Sequence, residues 1–215
     1  MSFRKTFCIL TAIISLASSS NSSSSQNKLE QQYSQESIVI PLDHSVPTEA
    51  LTFDINAMMV NFSTSQAKKI KDASKLIKKV IASSEFKERV LNFTYNGKKQ
   101  FVDNGGLTNE QIYKKILLAS EEMLPLGNNN VMDVELELYT DEEANTIGYT
   151  YPDIVRVFMN TKYFNRFLPH QVADNMIHEW LHKLGFEHAV EPNPSRSSSV
   201  PYAIGYLVKE LAQEL

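Results

Sequence analysis

Three of the five histidines of this 215-residue chain lie within eleven residues, in the segment HEWLHKLGFEH. His178 and His182 are four residues apart, in a stretch whose apolar residues recur at helical spacing. Side chains four apart on a helix project from adjacent turns toward one point. Two imidazoles arranged in this way supply two nitrogen donors to a zinc ion, which binds them at roughly 2.0–2.1 Å.

A third donor and a general base follow from the same segment. Gly185 stands three residues after His182, where glycine can adopt the left-handed conformation that ends a helix. The turn would bring His188 back to the same point, and three neutral imidazoles leave the fourth zinc position to water, which is the catalytic arrangement. Zinc lowers the pKa of that water to about 7, so Glu179 can take its proton and pass it to a leaving amine.

The alternative is that these are ordinary surface or core histidines. At this composition, H-E-x-x-H alone is expected by chance in about one such chain in a hundred. Adding the glycine and the third histidine lowers the expectation to something on the order of one in a hundred thousand. We therefore predict one zinc ion per chain, held by His178, His182 and His188, with Glu179 as the catalytic base.

The segment resembles H-E-x-x-H-x-x-G-x-x-H, the long zinc signature of the metzincin clan of metallopeptidases. The resemblance implies that the three histidines are zinc ligands, that Glu179 is the general base and that Gly185 forms the turn between the second and third ligands. It also implies a metzincin-like zincin catalytic domain with a twisted mixed sheet. In such a domain an edge strand lies over the active-site helix and pairs with an extended substrate.

Two further parts of the chain bear on this resemblance. The segment TIGYTYP (residues 146–152) comes in the right order for the edge strand, although Tyr149 and Tyr151 could equally well only pack. Metzincins have a methionine turn after the third histidine, but no methionine follows Met176 here. Some members carry a tyrosine two places after that methionine, which can approach the zinc and steady the oxyanion. Tyr202, in SVPY, is either its catalytic counterpart or a core residue.

These observations predict an exported zinc-dependent metalloendopeptidase that hydrolyses peptide bonds through a zinc-bound water activated by Glu179. One alternative is a non-peptidase zinc amide hydrolase, which a closed pocket would favour over a long cleft bordered by an unpaired strand. Another is a catalytically inactive zinc-binding module. The intact carboxylate argues against that alternative, because a protein that only binds zinc has no need of it.

The beginning of the chain predicts export. Arg4 and Lys5 precede a short apolar run and a serine-rich exit, which is typical of a secretory signal peptide over residues 1–24. The run is too short for a permanent membrane helix, although an uncleaved anchor is the alternative. We predict that residues 25–47 form a flexible Ser/Asn/Gln-rich tether and that residues 48–215 form the zinc peptidase domain. Asp43 and His44 are either a latency device or an exposed pair.

Composition excludes several classes of function. The net charge of −4, without a Lys/Arg-rich stripe, argues against a nucleic-acid partner. The single cysteine, Cys8, lies in the predicted leader, so cysteine ligands and cysteine catalysis are excluded from the mature chain. We expect a secreted or periplasmic protein that acts on peptides or proteins and has no stable membrane span after cleavage of the signal.

The remaining elements predict an α/β (α+β) domain, because strands are followed by helices, further strands and a long helix. Alternation predicts strands over 51–62, 131–139, 146–153 and 154–160. Asn96-Gly97 predicts a hairpin turn. Apolar periodicity and capping residues predict helices over 63–91, 108–123, 168–186 and 203–211, with Thr108 and Gln111 in capping-box spacing.

Overall fold

A computed structural model describes residues 52–215 of the chain. The predicted signal peptide (residues 1–24) and tether (residues 25–47) lie outside these residues, and so do Asp43 and His44. None of the helices between residues 52 and 215 is long and apolar enough to cross a membrane.

Within this part of the chain there are four strands and six helices. The strands are β1 (Asp54–Val60), β2 (Val131–Tyr139), β3 (Gly148–Thr150) and β4 (Arg156–Asn160). The helices are α1 (Thr64–Ile81), α2 (Ser84–Leu91), α3 (Asn109–Leu117), α4 (Thr161–Phe164), α5 (Pro169–Lys183) and α6 (Val200–Gln213). A short 3-10 turn over Arg196–Ser198 precedes α6.

The strands form one mixed sheet in the order β1-β2-β4-β3. β1 pairs in parallel with β2, and β2 pairs in parallel with β4, whereas β3 runs antiparallel to β4 at the edge of the sheet. Parallel neighbours need a long crossover connection, and helices α1 to α3 lie in the connection between β1 and β2. The predicted α/β (α+β) class with a mixed sheet is confirmed.

One hydrophobic core joins the sheet to the helices. Side chains of β2 alternate between buried and half-buried, and the outward ones include Glu135 and Glu137, which pair with Arg156 of β4. The inward side chains belong to the same buried cluster as the apolar residues of α1, α5 and α6. Helix α5 packs against both α1 and α6 and also contacts β3, so it is held from three sides.

Helices α1 and α3 begin at capping boxes. The Ser63 hydroxyl accepts from the N–H of Gln66, whose side-chain oxygen accepts from the N–H of Ser63 at 2.9 Å. Thr108 and Gln111 make the same reciprocal pair, which confirms the prediction from their spacing.

The helical predictions differ from the structure in their bounds, and the helices predicted over 108–123 and 168–186 are shorter, at Asn109–Leu117 and Pro169–Lys183. The segment over residues 63–91 is two helices, because the Ser83 hydroxyl donates to the carbonyl of Val80 at 2.6 Å and accepts from the N–H of Phe86 at 3.1 Å. This one side chain therefore ends α1 and caps α2. The last helix begins at Val200 rather than Ala203, because Pro201 occupies its first turn, where a missing N–H costs nothing.

The Asn96-Gly97 turn is present without the two strands that we expected around it. Asn96 and Gly97 have φ angles of 49° and 74°, the left-handed pair of a tight hairpin turn. A single bridge across the turn joins Tyr95 to Lys98. The chain then departs, and Val102 bridges to Ser199 instead.

Trp180, the single tryptophan of the chain, anchors α5 in the core. Its ring is fully buried and lies edge-on to Phe53 at 5.8 Å between centroids. Its indole N–H donates to Oε1 of Glu121 at 2.8 Å, and Oε2 of the same buried carboxyl has no hydrogen-bond partner among residues 52–215. Burial raises the pKa of Glu121, while the bond from Trp180 acts in the opposite direction.

Glu121→Gln is expected to stabilise the protein at neutral pH. The folded-state pKa of Glu121 is raised, so the folded protein favours the protonated form and loses stability as the pH rises above the unfolded-state pKa of about 4.3. The variant keeps an oxygen for Trp180 and never ionises. Urea unfolding followed by Trp180 fluorescence should therefore give a stability gain at pH 7 that shrinks as the pH approaches 4.

Glu143→Gln removes the same charge at an exposed position and is the matched control. We expect it to leave the pH dependence of unfolding unchanged. A stability gain for Glu121→Gln that does not vary with pH would contradict the assignment of the effect to ionisation of this buried carboxyl.

Candidate metal centre

Helix α5 presents two histidines of its C-terminal half to a cleft and the apolar side chains of that half to the core. Ile177, Trp180 and Leu181 are buried in the hydrophobic cluster, whereas His178 and His182 line the cleft. The separation arises from the 3.6-residue period of the helix, which places positions four apart on one face. A rigid, buried helix therefore fixes the origin of both imidazoles.

The end of α5 is a glycine turn of the Schellman type. Gly185 has a φ of +83°, its N–H donates to the carbonyl of His182 at 2.9 Å, and the N–H of Phe186 donates to the carbonyl of Leu181 at 3.1 Å. A side chain at Gly185 would also meet Oε2 of Glu122 at 2.6 Å from its Cβ. The backbone angle favours glycine at this position, as the sequence predicted, whereas the close atom belongs to the end of an exposed side chain that can move.

The turn brings the third histidine to the other two. One ring nitrogen from each of His178, His182 and His188 lies within 4.8 Å of the others. The Nε2 atoms of His178 and His188 are 3.2 Å apart. The predicted convergence of the three rings is therefore confirmed, and the cluster could hold a metal ion.

Backbone carbonyls fix the orientation of these rings. Nδ1 of His182 lies 2.7 Å from the carbonyl oxygen of Phe186, and Nδ1 of His188 lies 3.0 Å from that of Ala189. A carbonyl only accepts, so Nδ1 carries a proton in each ring, which leaves Nε2 as the nitrogen that can bind a metal. The third ring, His178, has the backbone of Pro201 as its partner. Outer partners of this kind usually orient histidines that bind a metal.

The donor set fits a tetrahedral metal ion. Nitrogen ligands at 2.0–2.1 Å from a tetrahedral centre are roughly 3.3–3.4 Å apart, close to the separation of the His178 and His188 nitrogens. Burial is the main cause that lowers the pKa of His178 to about 3 and that of His182 to about 4. Both imidazoles are therefore neutral at pH 7, which is the form that binds metals.

Glu179 lies beside the histidines and is only 5% exposed. Burial raises its pKa to about 8, against the opposing effects of Asn175 and Lys183. Nδ2 of Asn175, one turn earlier on α5, lies 3.5 Å from Oε1 of Glu179. A Cβ on Gly148 of β3 would stand 2.9 Å from both polar side-chain atoms of Asn175, so only glycine lets the strand approach this pair.

Tyr202, at the start of α6, faces the histidines rather than the core. Its ring centroid lies 4.5 Å from that of His178 and 4.7 Å from that of His188. On its other side, the guanidinium carbon of Arg196 is 4.9 Å from the ring centroid. The segment that packs against the histidines thus contains Pro201 and Tyr202, in the part of the chain where a methionine turn was missing.

A cleft of about 790 Å³ surrounds these groups. Residues 145–152, which include β3, line one part of it, and α5, the loop after His188 and α6 line the rest. The free edge of β3 has no strand partner within residues 52–215. Tyr151 is 55% exposed in the cleft, whereas Tyr149 stacks on Phe158 at 4.9 Å between ring centroids. Tyr151 therefore borders the open space, whereas Tyr149 mainly packs against the sheet.

A buried lysine ties these two parts of the cleft together. Lys183, the last residue of α5, is 1% exposed, and its Nζ donates to the carbonyl of Tyr151 at 2.9 Å and to that of Ile154. Its own carbonyl accepts from the N–H groups of Glu122 and Met123. Burial lowers the pKa of Lys183 to about 8.

Sequence reasoning missed three residues that shape this site: Asn175, Lys183 and Arg196. Asn175 carries a local signal, since it stands four residues before Glu179 on the same helix. Lys183 carries none, because its acceptors on Tyr151 and Ile154 are 32 and 29 residues away. Arg196 is close in sequence to Tyr202, but no pattern of spacing indicates that their side chains stack.

Comparisons of the chain with known protein families, with curated proteins and with solved structures find no match. The assignment of a function therefore rests on the residues of the site.

Gly185→Ala is expected to weaken both folding and metal binding. The left-handed backbone alone should lower the free energy of unfolding by about 1–2 kcal/mol. The strain of a side chain at a φ of +83° would also shift the turn that carries His188. We expect the affinity for Zn²⁺ to fall about 10–100-fold, measured by competition with a chromophoric chelator.

Gly97→Ala provides the control, since Gly97 has a φ of +74° with nothing within 4 Å of its Cβ position. It should show a similar loss of stability with unchanged Zn²⁺ affinity. Equal Zn²⁺ affinities for the two variants would contradict the role of the Gly185 turn in assembling the site.

Proposed function

We propose that the protein is an exported, metzincin-like zinc endopeptidase. The observation that carries this proposal is the convergence of His178, His182 and His188 beside Glu179, in a cleft that one free strand edge borders. Three imidazoles and a nearby carboxyl group are the residues that zinc-dependent peptide hydrolysis requires. Secretion or transfer to the periplasm, and a peptide or protein substrate rather than nucleic acid, are part of the same proposal.

The three histidines would hold the zinc through Nε2. When bound there, zinc acts as a Lewis acid that polarises a carbonyl and lowers the pKa of a coordinated water to about 7. Glu179 accepts the proton of the attacking water and then delivers it to the nitrogen of the scissile amide. Its raised pKa favours the accepted proton staying on the carboxyl until it is delivered to the leaving nitrogen.

Asn175 and Tyr202 support this chemistry. Nδ2 of Asn175 lies 3.5 Å from one oxygen of Glu179, and we assign it the role of positioning this carboxyl. Tyr202 lies against two of the three ligands, where its hydroxyl can donate to the oxygen that gains charge during attack on the carbonyl. Burial raises the pKa of Tyr202, so the phenol keeps its proton at neutral pH.

The edge strand favours a peptide over a small amide as the substrate. An extended chain can pair with the free backbone groups of β3 and lie across the histidines, with affinity from the backbone and selectivity from side-chain contacts. A closed pocket would favour the non-peptidase amide hydrolase, and the space here is an open cleft. The inactive zinc-binding module leaves the buried Glu179 without a role.

Two substitutions separate metal binding from hydrolysis. Glu179→Gln should keep about one zinc per chain and lower kcat by about 10²–10⁴-fold on the peptides that wild type cleaves, because it removes only the proton acceptor. His182→Ala should lose both the zinc and the activity. Metal content is measured by atomic emission, and hydrolysis by mass spectrometry of a peptide library.

The matched controls are Glu143→Gln and His170→Ala, which make the same chemical changes outside the cleft. Both should behave as wild type. A Glu179→Gln protein that cleaves peptides at the wild-type rate, or a zinc-loaded wild type that cleaves none, would refute the proposed function.

A further inference from the structure

Arg196 is a cation of the cleft that the proposed hydrolysis does not use. It lies in the 3-10 turn before α6 and lines the cleft. Its guanidinium rests on the face of Tyr202, whose ring in turn contacts His178 and His188. Two side-chain contacts therefore connect this positive charge to the candidate metal ligands.

The guanidinium has no acidic partner in residues 52–215. None of the ion pairs of this part of the chain includes Arg196. Its Nε is buried and makes no hydrogen bond there. The other cation that lines the cleft, Lys209, is paired with Asp174 at 3.0 Å. The guanidinium of Arg196 is therefore free to bind a ligand at the side of the site.

The backbone of Arg196 is fixed in place. Its N–H donates to Oδ1 of Asn193 at 2.9 Å, and its carbonyl accepts from the hydroxyl of Ser199 at 2.7 Å. The cation–π contact with Tyr202 holds the other end of the side chain. The N-terminus of α6 follows directly, and its dipole adds positive potential on the same side of the cleft.

We propose that Arg196 binds a substrate carboxylate and so selects peptides with an acidic side chain, or with their terminal carboxylate, next to the cleaved bond. The inference rests on the proposed function. A guanidinium matches a carboxylate with two parallel N–H···O bonds, which gives direction as well as charge attraction. Glu187 also lines the cleft, and its charge disfavours a dianion such as a phosphate group.

A cleavage assay tests this selectivity. Zinc-loaded wild type, Arg196→Gln, Arg196→Lys and the control Arg166→Gln are each incubated with a randomised peptide library. Arg166 is exposed and lies outside the cleft. Arg166→Gln makes the same change in net charge as Arg196→Gln. We expect wild type and Arg166→Gln to prefer the carboxylate by about tenfold in kcat/KM over the matching amide, and Arg196→Gln to lose this preference. Arg196→Lys should keep part of it, since the charge remains.

Two versions of the library separate the sources of the carboxylate. Enrichment of Asp or Glu that survives amidation of the peptide C-termini identifies an acidic side chain. Enrichment of cleavage near free C-termini that amidation abolishes identifies the terminal carboxylate. Either result supports the proposal, provided that Arg196→Gln abolishes it.

A binding assay keeps this inference distinguishable from the proposed function. Zinc-loaded Glu179→Gln, with and without Arg196→Gln, captures peptides from the same libraries, and mass spectrometry identifies them. Capture of carboxylate-bearing peptides that depends on Arg196 supports the inference even if wild type hydrolyses nothing. The inference is overturned if neither assay shows a carboxylate preference, or if the preference is unchanged in the Arg196→Gln proteins.

Discussion

The whole site depends on the left-handed turn at Gly185. A helix alone can align only two imidazoles, because its axis carries later residues away from them at 1.5 Å per residue. The turn reverses this course, and its two capping hydrogen bonds use carbonyls that the end of α5 would otherwise leave unpaired. It also places the carbonyl of Phe186 against Nδ1 of His182. A single backbone conformation thus sets the position of the third ring and the tautomer of the second.

The rigidity of this arrangement comes from the core beneath it. α5 packs against α1 and α6, and the buried side chains of its inner face, with Trp180 at the centre, belong to the cluster that includes the sheet. Groups that bind a metal must be held closely, and a helix that is buried on several sides provides this better than a loop. The approach of β3 to Asn175 then places a strand edge beside the same helix.

Local signals predicted the parts of this structure that local interactions decide. The capping pair of Thr108 and Gln111, the alternation of β2 and the helix–glycine–histidine spacing around Gly185 all depend on residues a few positions apart. The break between α1 and α2 before Ser84 was missed, because the serine at position 83 is compatible with both a helix surface and a cap. The contact of Glu121 with Trp180 crosses 59 residues of sequence, and no spacing could indicate it.

Lys183 has a mechanical consequence. Its ammonium joins the C-terminal end of α5 to the carbonyls that follow β3, so those two elements cannot separate unless both hydrogen bonds break and a buried cation is left without acceptors. These bonds hold the end of α5 and the segment after β3 at a fixed separation. A chain that enters the cleft would therefore have to lie extended along it, because α5 and the segment after β3 cannot move apart to admit a wider loop.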